Sequence, residues 1–275
     1  MDTGNNLQVD RRGRVLLLTL SDPANRNALS PVLYRAGIET VRQAGEDPSV
    51  GAIVLTGAGG TFCSGGNLRR LHRNRTQPRT VQQESIALFH AWIQAFQTCP
   101  KPIIAAVEGY AAGAGFALAL ACDLHVAARD ARYMMAYVKV GLSPDGGGSY
   151  WLSRGLTLQL ATEILLGGQP VEATRLRDWG LINRLCEPGR AVQEALVWAE
   201  QLAAGPVHAM KRIKRLIGAA RDGSLADHLA RESEAFLDGL YQPECAEGIA
   251  AFLEKRAPDF IGARRTQDAN SGKKV

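Results

Sequence analysis

Short apolar runs alternate with longer mixed segments through the first half of the chain. Residues 15–20, 52–56, 103–107 and 124–127 are largely apolar and bounded by Gly, Pro, Asp or Asn, which predicts buried strands. Ser30-Pro31 supplies an N-cap and a first helical position, and Leu33, Ile38 and Val41 carry approximate helical spacing on to Glu46. A second helix is predicted over 81–98, stopping before Pro100 and Pro102. Strands and helices alternating at these lengths predict an α/β chain built from crossover units, with functional loops at the strand ends. Beyond about residue 155 the pattern changes: 157–166, 191–204, 207–220, 225–240 and 243–255 read as helices with almost no strand signal between them, broken at Gly205-Pro206 and Gln242-Pro243. The expected organisation is a core over 1–200, a helical region over 201–263 and a polar, basic, disordered tail over 264–275.

The longest apolar run, 110–122, has thirteen residues. A membrane helix needs roughly twenty, so a buried helix is predicted there instead. With 275 residues, 46% of them apolar, the chain can bury one sizeable core and a helical appendage. The formal charge of +5 favours an anionic partner but is too mild to choose between a phosphorylated cofactor and nucleic acid. Five widely spaced cysteines without a CxxC pair argue against a disulfide framework and a structural zinc site, and the first residues do not read as a signal peptide. A reducing cytoplasm, no membrane and no bound metal are the expectations.

Three segments could carry chemistry. Gly57-Ala58-Gly59-Gly60-Thr61-Phe62-Cys63-Ser64-Gly65-Gly66-Asn67-Leu68 follows a predicted strand, and its glycines either make a structural turn or let backbone N–H groups approach a phosphate or oxyanion. A dinucleotide fingerprint fails because Phe62 stands where glycine is needed, and the Gly-Lys-Ser/Thr of a P-loop is absent. The second, Glu108 to Asp123, places small residues at the start of a buried helix. Either they pack the helix closely or they leave its first amides aimed at a developing negative charge. In the third, Gly141-Leu142-Ser143-Pro144-Asp145-Gly146-Gly147-Gly148-Ser149, Asp145 is either an ordinary N-cap or a base on a close-approach loop.

Taken in this order, from Leu16 to Phe260, the segments resemble the crotonase (enoyl-CoA hydratase/isomerase) superfamily. Phe62-Cys63-Ser64-Gly65-Gly66-Asn67-Leu68 is similar to the family's F-x-A-G-A-D-L element and Gly109-Tyr110-Ala111-Ala112-Gly113-Ala114-Gly115 to its G-x-A-x-G-G-G element, with GLSPDGG downstream and EKRAPDF near the end. The resemblance implies a spiral of ββα units with a C-terminal helical region that builds homotrimers, often paired as hexamers. It implies an acyl-CoA substrate, no permanently bound cofactor, and an oxyanion hole from the amides of Gly66 and Ala114. Asn25, Arg26, Ser64 and Leu68, with Gly65 and Asn67 in the same element, then follow the CoA path. Phe252 and Lys255 match positions that contact CoA across a subunit boundary.

At the two glutamate positions of the family's hydratases stand Ala117 and Tyr137, neither able to act as a carboxylate acid or base. Asp145 occupies the position where several isomerase members, including ring-handling isomerases of the phenylacetate kind, carry a reactive Asp. An acyl-CoA double-bond isomerase is therefore the first expectation. Hydration or another crotonase hydrolysis in fatty or aromatic acid breakdown is the second, and a silent acyl-CoA-binding protein the third. Tyr137 either hydrogen-bonds a substrate or fills the pocket, with filling preferred. The basic stretch Arg69, Arg70, His72, Arg73, Arg75 and Arg79 either meets CoA phosphates or forms a solvated face, with the solvated face preferred. Lacking interleaved aromatics, it does not predict nucleic-acid binding. His90, His125, His208 and His228 have no ligand spacing and no assigned role, and Lys139 is expected in solvent.

Overall fold

The computed structural model describes residues 6–220 and 222–264. Its strands are β1 (Asn6–Arg12), β2 (Val15–Ser21), β3 (Ala52–Gly57), β4 (Ile103–Val107), β5 (Tyr110–Ala112), β6 (Leu124–Ala128), β7 (Arg132–Met134), β8 (Val171–Glu172) and β9 (Arg184–Cys186). One sheet has the order β1-β2-β3-β4-β6-β9, parallel except for the antiparallel β1–β2 pair, and a smaller sheet has the order β5-β7-β8. The four predicted strands form the interior of the larger sheet, where both faces are covered and continuous apolar runs are the rule. Leu18, Leu20, Ile53, Leu55 and Ile103 are fully buried there. Each such side chain contributes about 1.5–3 kcal/mol on leaving water.

Strand β1 was not legible in the sequence because it carries Asn-Leu-Gln-Val-Asp-Arg-Arg and exposes nearly every residue. It is held by ladder hydrogen bonds to β2 in unbroken register from Asn6–Ser21 to Arg12–Val15. Polar and charged residues suit this edge because they discourage pairing with another chain.

Between the strands lie α1 (Pro31–Glu46), α2 (Leu68–Asn74), α3 (Arg79–Thr98), α4 (Ala114–Leu120), α5 (Gly148–Gly155), α6 (Leu158–Gly167) and α7 (Ala173–Asp178), and α8 (Ala191–Ala204) follows β9. Ser30 caps α1 as its sequence predicts, its hydroxyl accepting the Leu33 amide at 3.3 Å. Helix α3 begins two residues earlier than expected. The aromatic rings of Tyr34, Phe89 and Trp92 join α1 to α3, with Tyr34–Phe89 centroids 5.2 Å apart.

The run 110–122 is not one helix. Tyr110–Ala112 pairs with Arg132–Met134 as strand β5, Gly113 turns the chain with φ +52°, and only Ala114–Leu120 is helical. Uninterrupted small apolar residues look alike in a buried strand and a buried helix, so periodicity could not place the break. Likewise β8 and β9 interrupt the region read as helical, each too short to show alternation.

A boundary between compact units falls between Ala199 and Glu200. The second unit contains α9 (Val207–Ala219), α10 (Leu225–Leu240) and α11 (Pro243–Leu253). Ser224 and Asp227 form a reciprocal capping box at the start of α10. Glu244 is buried, accepting the His208 amide at 3.1 Å and Arg264 Nη1 at 2.6 Å. Arg264, read from sequence as the first residue of a disordered tail, is instead tied into this ion pair, and the rest of that tail lies outside the described residues. Helix α11 stops at Leu253, and Lys255, expected within it, has φ +54°. Among the described residues no helix is long and apolar enough to cross a membrane.

Candidate active site

The loop after β3 is threaded between two neighbours. On one side the Leu29 amide donates to the Gly65 carbonyl at 2.8 Å; on the other, the Cys63 amide donates to Tyr110 and the Ala112 amide donates to Cys63, at 3.0 and 2.9 Å. The chain must pass very close to β5. Gly65 has φ +90°, and a Cβ built on it falls 2.5 Å from the Ala112 carbonyl oxygen and 3.1 Å from the Ala114 nitrogen. Only glycine fits both the conformation and the gap. The Gly65–Gly66 backbone is thereby set directly against the first residue of α4.

Ala114, as that first residue, has no intrahelical acceptor for its amide. Among the described residues neither the Gly66 nor the Ala114 N–H donates to a backbone carbonyl. Two uncommitted amides beside one another can stabilise an oxyanion, and losing one such preorganised donor typically costs about 2.7–4 kcal/mol of barrier lowering.

Tyr137 lies over the same turn: a Cβ on Gly113 would sit 3.7 Å from its ring. Its hydroxyl donates to Asp145 Oδ1 at 2.5 Å. Burial pushes the Tyr137 hydroxyl far above its ordinary range, and the Asp145 charge pushes it further, so it remains a proton donor. Asp145 is not the N-cap of α5, which starts at Gly148 with Gly147 as cap. Its side chain is turned to Tyr137 and accepts that hydroxyl. The loop is also held from α3, where His90 Nε2 accepts the Gly146 amide at 3.3 Å. Ala117 is buried and faces this loop, its Cβ 3.3 Å from where a Gly146 Cβ would lie. No carboxylate replaces the glutamate at that point.

Tyr34 extends the polar cluster. Burial raises its hydroxyl to about 12, the Arg70 guanidinium beside it pulls the other way, and the Asp145 charge adds to the rise. Arg70 departs from the solvated-face reading, because its Nε and Nη1 atoms are sealed from water, whereas Arg69, His72, Arg73, Arg75 and Arg79 are exposed. Lys139 is exposed as expected. Cys63 is a floor residue: burial pushes its thiol up to about 12, and Sγ links the Asn27 carbonyl (3.1 Å) to the Gly65 amide (3.3 Å).

Of the residues expected along CoA, Asn25, Arg26 and Ser64 come together, the Ser64 amide donating to the Arg26 carbonyl at 3.0 Å and its hydroxyl to the Asn25 carbonyl at 3.2 Å. Asn67 caps α2 through the Arg70 amide, and Leu68 opens that helix, exposed. Phe252 and Lys255 lie in the second unit, both exposed. Sequence reading missed Asn27, Tyr34 and His90. Asn27, buried with φ +56°, staples two loops: its Nδ2 donates to the carbonyls of Ala58 (2.9 Å) and Thr61 (2.7 Å), and its Oδ1 accepts the Asp22 amide (2.9 Å). Asparagine is among the few residues that tolerate the left-handed region, a hint the local sequence did carry. Among the described residues no cluster of His, Cys, Asp or Glu is arranged to hold a metal ion.

A mixed, largely parallel sheet with paired amides between a glycine loop and a short buried helix defines the crotonase class. The family model described as enoyl-CoA hydratase/isomerase matches residues 10–263, and the chain belongs to that family. It is 34% identical over 258 residues to the 2,3-dehydroadipyl-CoA hydratase of Escherichia coli (strain K12), covering 94% of this chain and 99% of that protein. Identity to the 1,2-epoxyphenylacetyl-CoA isomerase of the same organism is 33% over 249 residues, covering 90% and 95%. Among solved structures, an enoyl-CoA hydratase from Polaromonas sp. JS666 superposes with a TM-score of 0.90 at 50% identity, over 92% of this chain and 98% of that one.

Proposed function

We propose that the protein is an acyl-CoA double-bond isomerase in which Asp145 moves the proton and the amides of Gly66 and Ala114 hold the thioester oxygen. The observation that carries this reading is the Asp145 carboxylate: it is held by Tyr137 beside Gly113, and the next residue of its loop, Gly146, packs against buried Ala117, where the hydratases carry a glutamate. Asp145 takes the α-proton of a 3-enoyl thioester, the electron pair moves into an enolate whose oxygen the two amides stabilise, and the protonated carboxyl returns a proton at the γ-carbon to give the 2-enoyl thioester. One acid suffices because the reaction adds and removes nothing. Asn25, Arg26, Ser64, Gly65, Asn67 and Leu68 serve the CoA arm, with Phe252 and Lys255 reaching it from a neighbouring subunit of a homotrimer. Apolar residues left exposed on the C-terminal helices, among them Ile217 and Phe236, support that assembly, and light scattering tests it.

Hydration is the second reading, favoured by the names of the Escherichia coli 2,3-dehydroadipyl-CoA hydratase and the Polaromonas enoyl-CoA hydratase. It needs a positioned water and a proton delivered to the α-carbon, which Ala117 and Tyr137 do not provide as carboxylates. Mass spectrometry of 3-enoyl-CoA and 2-enoyl-CoA incubated with the protein in heavy water separates the two. Deuterium uptake with bond migration supports isomerisation, and a gain of one water supports hydration. Full turnover by Asp145→Ala overturns the role given to that residue.

A further inference from the structure

Within the basic stretch on α2, Arg70 stands apart. Its neighbours point to solvent, but Nε and Nη1 of Arg70 are buried and have no hydrogen-bond partner. Arg70 as a whole is half-buried, so the charge keeps some access to water, but two of its three guanidinium nitrogens are shut away with their donors unmet. Such an arrangement is costly when empty and favourable when an anion completes it. Its position relates it to the reaction. Asn67 Oδ1 accepts the Arg70 amide at 3.0 Å, and the next residue, Leu71, has Cδ1 3.7 Å from where a Gly66 Cβ would lie. The guanidinium itself is close enough to the Tyr34 hydroxyl to act on it, and that hydroxyl also feels Asp145. Tyr34 in turn stacks near Phe89, whose ring lies against Gly146. Arg70 therefore belongs to the polar cluster around the proposed base.

We infer that Arg70 selects the acyl end of the substrate, its free guanidinium N–H groups donating to a carboxylate carried by the acyl chain beyond the double bond, so that the preferred substrate class is the CoA thioester of an unsaturated dicarboxylic acid. This rests on the acyl-CoA reading above. A carboxylate fits because it supplies both the opposite charge and two acceptor oxygens, which a hydroxyl or carbonyl does not. CoA phosphates are the weaker candidate, because the exposed arginines of the same helix offer donors in solvent, whereas Nε and Nη1 of Arg70 are closed to it.

The test compares two 3-enoyl-CoA thioesters of equal chain length, one ending in methyl and one in carboxylate, with the wild type, Arg70→Leu and Arg70→Lys. The wild type is expected to favour the carboxylate-ended thioester in kcat/KM by about tenfold or more. Arg70→Leu removes the preference mainly through a raised KM for that substrate, and Arg70→Lys keeps part of it. Equal wild-type kcat/KM values overturn the inference while leaving isomerisation intact, and so does an Arg70→Leu variant that loses both substrates alike. Should neither thioester react, the isomerase reading fails. Calorimetric binding to the wild type then decides this one: tighter binding of the carboxylate-ended thioester upholds it and equal binding overturns it. If Arg70→Leu does not fold, the wild-type preference and its reduction in Arg70→Lys carry the test.

Discussion

Replacing Gly65 by alanine separates the proposed oxyanion site from the rest of the fold. The new Cβ meets the Ala112 carbonyl oxygen at 2.5 Å and the Ala114 nitrogen at 3.1 Å, both backbone atoms that cannot rotate away. Reaching ordinary contact at 3.4 Å requires the two segments to part by about 0.9 Å. Oxyanion donors act over a narrow range near 2.7–3.1 Å, and a displacement of about 1 Å can cost about 100-fold in rate. Alanine at φ +90° adds strain of about 1–3 kcal/mol, which lowers stability without bearing on the chemistry. Gly60 supplies the control: it has φ +71° in the same loop, and nothing lies within 4 Å of its added Cβ. Thermal melts followed by circular dichroism, with kcat and KM for 3-enoyl-CoA isomerisation, should show a loss of melting temperature for both variants, larger for Gly65→Ala because the backbone clash adds to the strain the two share. A fall in kcat of about 100-fold is expected only for the first. Equal kcat in two folded variants would refute the assignment of the Gly66 and Ala114 amides to the reacting oxygen.

Tyr137→Phe removes the donor to Asp145; since a hydrogen bond to a charged group is worth about 1.5–3 kcal/mol, it should lower the melting temperature by a few degrees and kcat by about tenfold. Asn27→Ala should cost about 2–4 kcal/mol in urea unfolding, because the bonds to Ala58, Thr61 and Asp22 are lost together and alanine disfavours φ +56°. His125 gives a pH signature. Burial lowers its imidazole to about 4, against the pull of its bond to the Leu181 carbonyl, so below 6.5 the unfolded chain takes up a proton that the native state refuses. Stability should therefore fall as pH drops from about 6.5 toward 4, by roughly 2 kcal/mol at pH 5. Urea midpoints at pH 7 and pH 5 should show this loss in the wild type and a smaller one in His125→Gln; equal losses in the two proteins would refute it.

The sequence by itself determined the interior strands β2, β3, β4 and β6, the helix capped by Ser30, and the helical character of the C-terminal third. Each is written locally, as an apolar run too long to leave in water or as a capping residue followed by a periodic stripe. It also determined the family resemblance and what is missing from it, because Ala117 and Tyr137 cannot be carboxylates in any fold. Tertiary structure alone decided where the thirteen-residue apolar run breaks into β5 and α4, since strand and helix bury small apolar residues equally well and only the pairing with β7 chooses. The same holds for β1, whose polar residues form a strand because β2 offers an edge. In the site, residues far apart in sequence, Tyr34, Arg70, His90, Tyr137 and Asp145, have meaning only through proximity. Arg70 and Arg69 are neighbours in the chain and chemically identical, yet two guanidinium nitrogens of the first are buried and the second faces solvent. Burial and partnership are properties of the packed whole, so no local pattern could have distinguished them.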